Sequence, residues 1–166
     1  MAVLEILTYP DERLRRASEP VERFDAQLRS RIRDLEETRR AGPGAVGIAA
    51  PQVDWLARVV IVDVSTRKNT RNHGHMVLIN PEITQWDGFA MGREGCLSVP
   101  DYTGNVVRAE RIELKAQDAD GESHTFEMDG FEARAVQHEL DHLDGLLFLD
   151  RLMSRRQDLF RRKVYR

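Results

Sequence analysis

Cysteine is nearly absent from this 166-residue sequence; Cys96 stands alone. One thiol cannot close an internal disulfide. That excludes a stapled, secreted scaffold and leaves Cys96 as buried filler, a nucleophile or a metal ligand. Long apolar runs are also missing, so no segment reads as a bilayer-spanning helix and no membrane partner is expected. The opening MAVLEILTYPDERL has neither a basic n-region nor a long apolar h-region, and it does not read as a signal peptide. Nor does one sign of charge dominate. Lys and Arg number 25 against 28 Asp and Glu, a net −3 at pH 7, so the molecule as a whole is not charged as a nucleic-acid binder. No repeat and no low-complexity segment interrupts the chain. The remaining expectation is a soluble cytoplasmic protein, monomeric, with residues 1–166 forming one globular domain that has room for a real core.

The pattern along the chain mixes both periodicities. Leu28, Ile32 and Leu35 recur at near-helical spacing, which predicts a helix over Ala26–Arg40 that stops at AGPG, 41–44. The β-branched run Arg58–Val64 predicts a strand, and Met76–Asn80 a second strand closed by Pro81. Arg67–His75 reads as a polar loop. Arg111–Gln117 and Glu122–Met128 alternate around DADG, a hairpin signal. Asp129 can cap a helix that runs to Asp144-Gly145. Ser154 begins a last, basic helix, about 154–166. Blocks of strands with helices between and after them argue an α+β fold: antiparallel β-sheets packed around a central helix, with a C-terminal helix.

The central helix carries QHELDH, Gln137–His142. Residues four apart on a helix project from one face, so His138 and His142 can offer two ring nitrogens to one cation, with Glu139 beside them to accept a proton from water. Phe131 and Ala135 extend that stripe as an apolar wall, while Val136, Leu140 and Leu143 face the core. The rival reading is a surface helix with two histidines spaced by chance. A catalytic site asks for a third protein ligand. Asp144, Asp150, the other histidines and Cys96 are the candidates. His73 and His75 read as solvated and His124 as a surface histidine. Cys96 taken alone is a small buried hydrophobe. Taken with HELDH it turns toward a ligand, and a thiolate with two imidazoles suits Zn(II) or Fe(II) rather than Mg or Ca. A third segment, VGIAAPQV over 46–53, offers Gly47 for close backbone approach and the Gln52 amide after a rigid Pro51. By spacing alone it could equally be a turn into the next strand.

Together the segments resemble peptide deformylase. That family carries the motifs GxGxAAxQ, EGCLS and QHExDH. This chain reads AVGIAAPQ (45–52), EGCLS (94–98) and QHELDH (137–142), in that order. LTYPDERLRRASEPV, 7–21, is similar to the family's N-terminal segment, so the likeness covers essentially the whole chain. Two positions depart from it. Ala45 stands where the family usually has Gly, and Thr103 where several members have a basic residue. The resemblance implies a hydrolase that removes the N-formyl group from the initiator methionine of nascent polypeptides. It implies Cys96, His138 and His142 as metal ligands, with Fe(II) preferred and Zn or Ni able to substitute. Glu139 would be the general acid and base. The Leu97 N–H and Gln52 amide would stabilise an oxyanion. Gly47 and Gly95 would pair with an extended peptide, and Val46, Phe131, Ala135 and His138 would line a methionine pocket.

After Asp150 the chain holds seven Arg or Lys against one Asp, Asp158. A solvated tail is the plain reading; by similarity to the family, the segment could dock on the ribosome through salt-sensitive contacts with RNA. Two rivals to the main reading are a hydrolase of another small formylated amide and a non-enzymatic metal or ribosome-binding module. A structural metal site would use four protein ligands and would need neither Glu139 nor Gln52.

Overall fold

The structure, a computed structural model, describes residues 2–162. Helix α1 spans Ala26–Ala41, as its spacing predicts. Asp25 caps it by accepting from the Leu28 N–H at 2.9 Å, and the chain turns out of it at Gly42. Strand β1, Gly47–Ala49, leads into a 3-10 turn at Ala50–Val53 and then β2, Val59–Val62, which is buried at every position. The long strands β3 (Met76–Cys96) and β4 (Val99–Gln117) form one extended hairpin, and β5 (Ser123–Asp129) closes on β4 through the DADG turn. Neighbours in the order β1-β2-β3-β4-β5 are all antiparallel.

Pro81 does not end a strand as expected. β3 runs straight through it, because the proline sits in a register shift between Ile79 and Glu82 where no ladder N–H is required. Asn80 takes φ 51° there, and its side-chain amide holds Val21 through both the backbone N–H (2.8 Å) and C=O (2.9 Å).

Helix α2, Gly130–Leu143, lies across the sheet. Ala133, Val136, Leu140 and Leu143 pack on Val60, Val62, Leu78, Ile112 and Leu114. Almost no face of α2 is solvated, which is why its polar residues must find partners inside the protein. Asp129 occupies the N-cap position but makes no capping bond; its carboxylate pairs instead with Arg71 at 3.3 Å. Gly145, at φ 77°, ends the helix as expected. The basic segment after Ser154 is helical for only one turn, α3 (Arg155–Asp158). It then extends as β6, Leu159–Arg161, which pairs with Tyr102–Gly104 of β4. The ladder along β4 offers Leu159 and Phe160 a partner that an isolated helix of this length lacks. The remainder of the expected helix, 163–166, lies outside the described residues.

Candidate metal centre

The sheet and helix meet at a cavity of about 620 Å³. One helical turn separates His138 and His142, whose ring centroids lie 5.3 Å apart. Cys96 ends β3 at a tight return in which it pairs with Val99, so its sulfur is presented to the helix rather than to the ladder. The Cys96 Sγ lies 3.4 Å from His142 Nε2, and the ligand atoms of Cys96, His138 and His142 all fall within 4.8 Å of one another. Of the third-ligand candidates, the structure brings Cys96 to the pair. Asp144 pairs with Arg58 and Asp150 with Arg15. His73 and His75 are part-exposed and bound to Glu132 and Glu36, and His124 pairs with Asp118 on the surface.

The surrounding electrostatics fit a divalent cation. Burial alone would push the Cys96 thiol up, but the imidazoles of His142 and His138 outweigh it and hold the thiol well below its ordinary range. Burial raises the Glu139 carboxyl to about 6. Its Oε1 is buried with no protein partner, as is His142 Nδ1. Orphaned polar atoms beside a thiolate and two imidazoles are what a hydrated metal site leaves when only protein atoms are counted. The soft sulfur and borderline nitrogens match Fe(II), Zn(II) or Ni(II) and not Mg or Ca.

The VGIAAPQ segment proves more than a turn. Gly47 lies against Glu139: a Cβ there would come within 2.6 Å of Oε2. The bare glycine face is therefore what admits the carboxyl. Gln52 sits in the 3-10 turn with its Oε1 fixed by the Ala49 N–H at 2.9 Å. That fixes the amide orientation and aims Nε2 at Ser98 Oγ (3.0 Å) and Cys96 Sγ (3.6 Å). Val46, Gly47, Gln52, Gly95, Cys96, Leu97, Phe131, Ala135, His138 and Glu139 all line the cavity, while His142 is buried behind it.

Sequence reasoning missed the layer behind Cys96, His138 and His142. Glu94 accepts from His138 Nδ1 at 2.8 Å, which leaves Nε2 free to face the cation site. Glu94 also binds Arg108 at 2.8 and 2.9 Å and Arg134 at 2.7 Å. Arg108 continues to Asp141 at 2.6 Å, and Arg151 reaches the same carboxylate at 2.9 Å. Burial opposes ionisation of Glu94 and Asp141, yet Arg108 with His138, and Arg151 with Arg108, keep both carboxyls below their ordinary range. The available signal was the placing of Glu94 and Asp141 inside the EGC and HELDH motifs. Arg108 gave none, since an arginine between valine and alanine on a strand reads as exposed.

A closed structural site has no use for a buried, unpartnered carboxyl at its edge or for an open cavity in front of it. Fold and site together define a metal-dependent hydrolase. The model of the family described as polypeptide deformylase matches residues 3–158. A peptide deformylase of Chromobacterium violaceum is 47% identical over 164 residues, covering 99% of this chain and 95% of that protein. The crystal structure of a peptide deformylase from Legionella pneumophila superposes with TM-score 0.84 at 41% identity, over 91% of this chain and 86% of that one. A class I type b peptide deformylase from Acinetobacter baumannii, solved with Met-Ala-Ser bound, gives TM-score 0.84 at 35% identity over 91% and 99% of the two chains. The chain belongs to the polypeptide deformylase family. Its reaction is the metal-dependent hydrolysis of the N-formyl group from nascent polypeptides. Likeness over nearly the full length of both chains leaves the non-enzymatic module and the small-amide hydrolase without support.

Proposed function

We propose that Cys96, His138 and His142 hold the catalytic cation, Fe(II) in the cell, and that Glu139 moves the proton. The observation that carries this assignment is the meeting of their ligand atoms within 4.8 Å beside the unpartnered Glu139 carboxyl. The cation, when bound, supplies Lewis acidity that makes water a nucleophile near neutral pH and polarises the formyl oxygen. Glu139, poised near neutrality by burial, accepts the proton of the attacking water and returns it to the leaving amine. Gln52 Nε2 and the Leu97 N–H donate to the oxygen as it becomes anionic; removing one such donor costs about 3 kcal/mol in kcat. Glu94 fixes the His138 ring, and the bare face of Gly47 keeps Glu139 within reach.

The peptide lies extended between Gly47 and Gly95, with its methionine side chain against Val46, Phe131, Ala135 and His138, an apolar end of the cavity. A peptide ligand is in keeping with the Acinetobacter baumannii relative, which is solved with Met-Ala-Ser bound. The joining of all three motif segments at one cavity supports reading the chain as one catalytic domain; its proposed setting is the cytoplasm, and its proposed state a monomer. Among the described residues no helix is long and apolar enough to cross a membrane. Ribosome docking would use the exposed arginines Arg155 and Arg156 of α3. Unchanged low-salt co-sedimentation of an Arg155→Glu/Arg156→Glu variant would remove that idea. The activity test is formate release from a formyl-Met tripeptide by anaerobic, Fe(II)-loaded protein, with the acetyl peptide as control. Release from the formyl peptide alone is expected; none from either peptide would overturn the reading.

A further inference from the structure

Three arginines at the mouth of the cavity take no part in the reaction as derived. Arg67 stands over the Phe131 ring with its guanidinium carbon 3.9 Å from the centroid, and Arg93 over Phe160 at 3.7 Å. Arg162 lies against the bare face of Gly95, where an added Cβ would meet its Nη2 at 2.5 Å. All three line the cavity. Among the described residues none of them forms an ion pair, whereas Arg134, which also lines the cavity, pairs with Glu94 at 2.7 Å. A guanidinium stacked on a ring keeps its N–H groups in plane and available to a carboxylate.

Strand β6 assembles two of the three, Arg93 and Arg162. Phe160 sits opposite Thr103 on β4, and the Arg162 N–H donates to Asp101 O at 2.7 Å, which fixes the backbone from which the Arg162 side chain departs. Thr103 is in turn opposite Gly95 on β3. Arg93 reaches Thr103 Oγ1 at 3.4 Å and Asn105 at 3.0 Å, so Arg93 and Arg162 flank the same ladder position. That position is the edge along which, on the deformylase reading, the peptide runs downstream of its methionine.

We propose that β6 builds an anion-selecting subsite in which Arg162, with Arg93 beside it, recognises a carboxylate on the substrate peptide two residues downstream of formyl-methionine. This rests on the deformylase reading and deepens it: chains with Asp or Glu at the third residue are the preferred substrates. The cations are exposed, so each pair is weak and salt-sensitive.

The test compares formyl-Met-Ala-Glu-amide with formyl-Met-Ala-Gln-amide, which differ by one charge. The wild-type protein favours the Glu peptide in kcat/KM, mainly through KM. In Arg162→Ala that preference falls about three- to fivefold, the scale of an exposed ion pair. Arg162→Lys restores part of it, and about 0.5 M salt reduces it in the wild type as screening shortens its reach. Arg33→Ala removes an equal charge from the exposed face of α1 and leaves the preference unchanged. Equal kcat/KM for the two peptides, or a preference that survives in both Arg162→Ala and Arg93→Ala, overturns the subsite while formate release upholds the deformylase reading. No release from either peptide by the wild type overturns that reading and the subsite with it.

Discussion

The cavity has two rings of arginine, and they differ in what they touch. Arg108 and Arg134 are buried, each bound to the Glu94 carboxylate that holds His138. Arg93 and Arg162 lie in front, exposed, one stacked on an aromatic face and the other laid on a glycine. Charge in a low-dielectric interior is tolerated only when every partner is fixed, so the inner ring is rigid and holds His138 in one orientation. Charge at a wet mouth is cheap to leave without a partner and cheap to move, so the outer ring is suited to meeting ligands. The same residue type therefore serves geometry at one depth and selection at another.

The sharpest break is expected at the floor of the cavity. Glu139→Ala should lower kcat by roughly 10²–10⁴-fold, the range for loss of a general acid–base, while metal content stays at the wild-type level. Next comes the inner ring. Glu94→Ala leaves Arg134 buried without its carboxylate, takes from Arg108 one of its two, and frees the His138 ring. It should cost about 3–5 kcal/mol of stability by chemical denaturation and about 10–100-fold in metal affinity by competition with a chelator. Gly47→Ala places a methyl where Glu139 Oε2 sits, 2.6 Å away, and should lower kcat by about tenfold with the metal retained. The smallest effect is expected at a pair far from either ring. Arg29→Ala, which removes an exposed contact to Asp120, should change stability by less than about 1 kcal/mol.

The inner ring also sets an acid limit. Glu94 and Asp141 have carboxyls held below their ordinary values of 4.5 and 3.8. A depressed carboxyl stabilises the fold fully above its unfolded value and loses that contribution as pH falls toward its folded one. Stability should therefore decline below about pH 4.5 in acid titrations followed by circular dichroism. Glu94→Gln should start less stable and show a shallower decline.

Much of the site was legible because catalysis confines chemistry to short, contiguous motifs. Helical spacing alone put His138 and His142 on one face; Cys96 was one of several candidate third ligands, and the resemblance to peptide deformylase is what singled it out. The inner ring was not legible. Arg108 and Glu94 are partners across a hairpin, and nothing local to Arg108 marks it as buried. The fold was readable where periodicity was clean, in α1, β2 and the DADG hairpin. It failed at Pro81, where a bulge removes the usual objection to proline in a strand. It failed again after Ser154, where pairing with β4 overrides the helical preference of a basic run.

The central claim is that one buried cluster binds the metal while Glu139 alone transfers the proton. The most direct measurement takes metal content and formate release from the same anaerobic samples of wild-type and Glu139→Ala protein, with formyl-Met-Ala-Ser as substrate. The account predicts equal iron in both and formate release slower by about a hundredfold or more from Glu139→Ala. Turnover by Glu139→Ala at near the wild-type rate would contradict it.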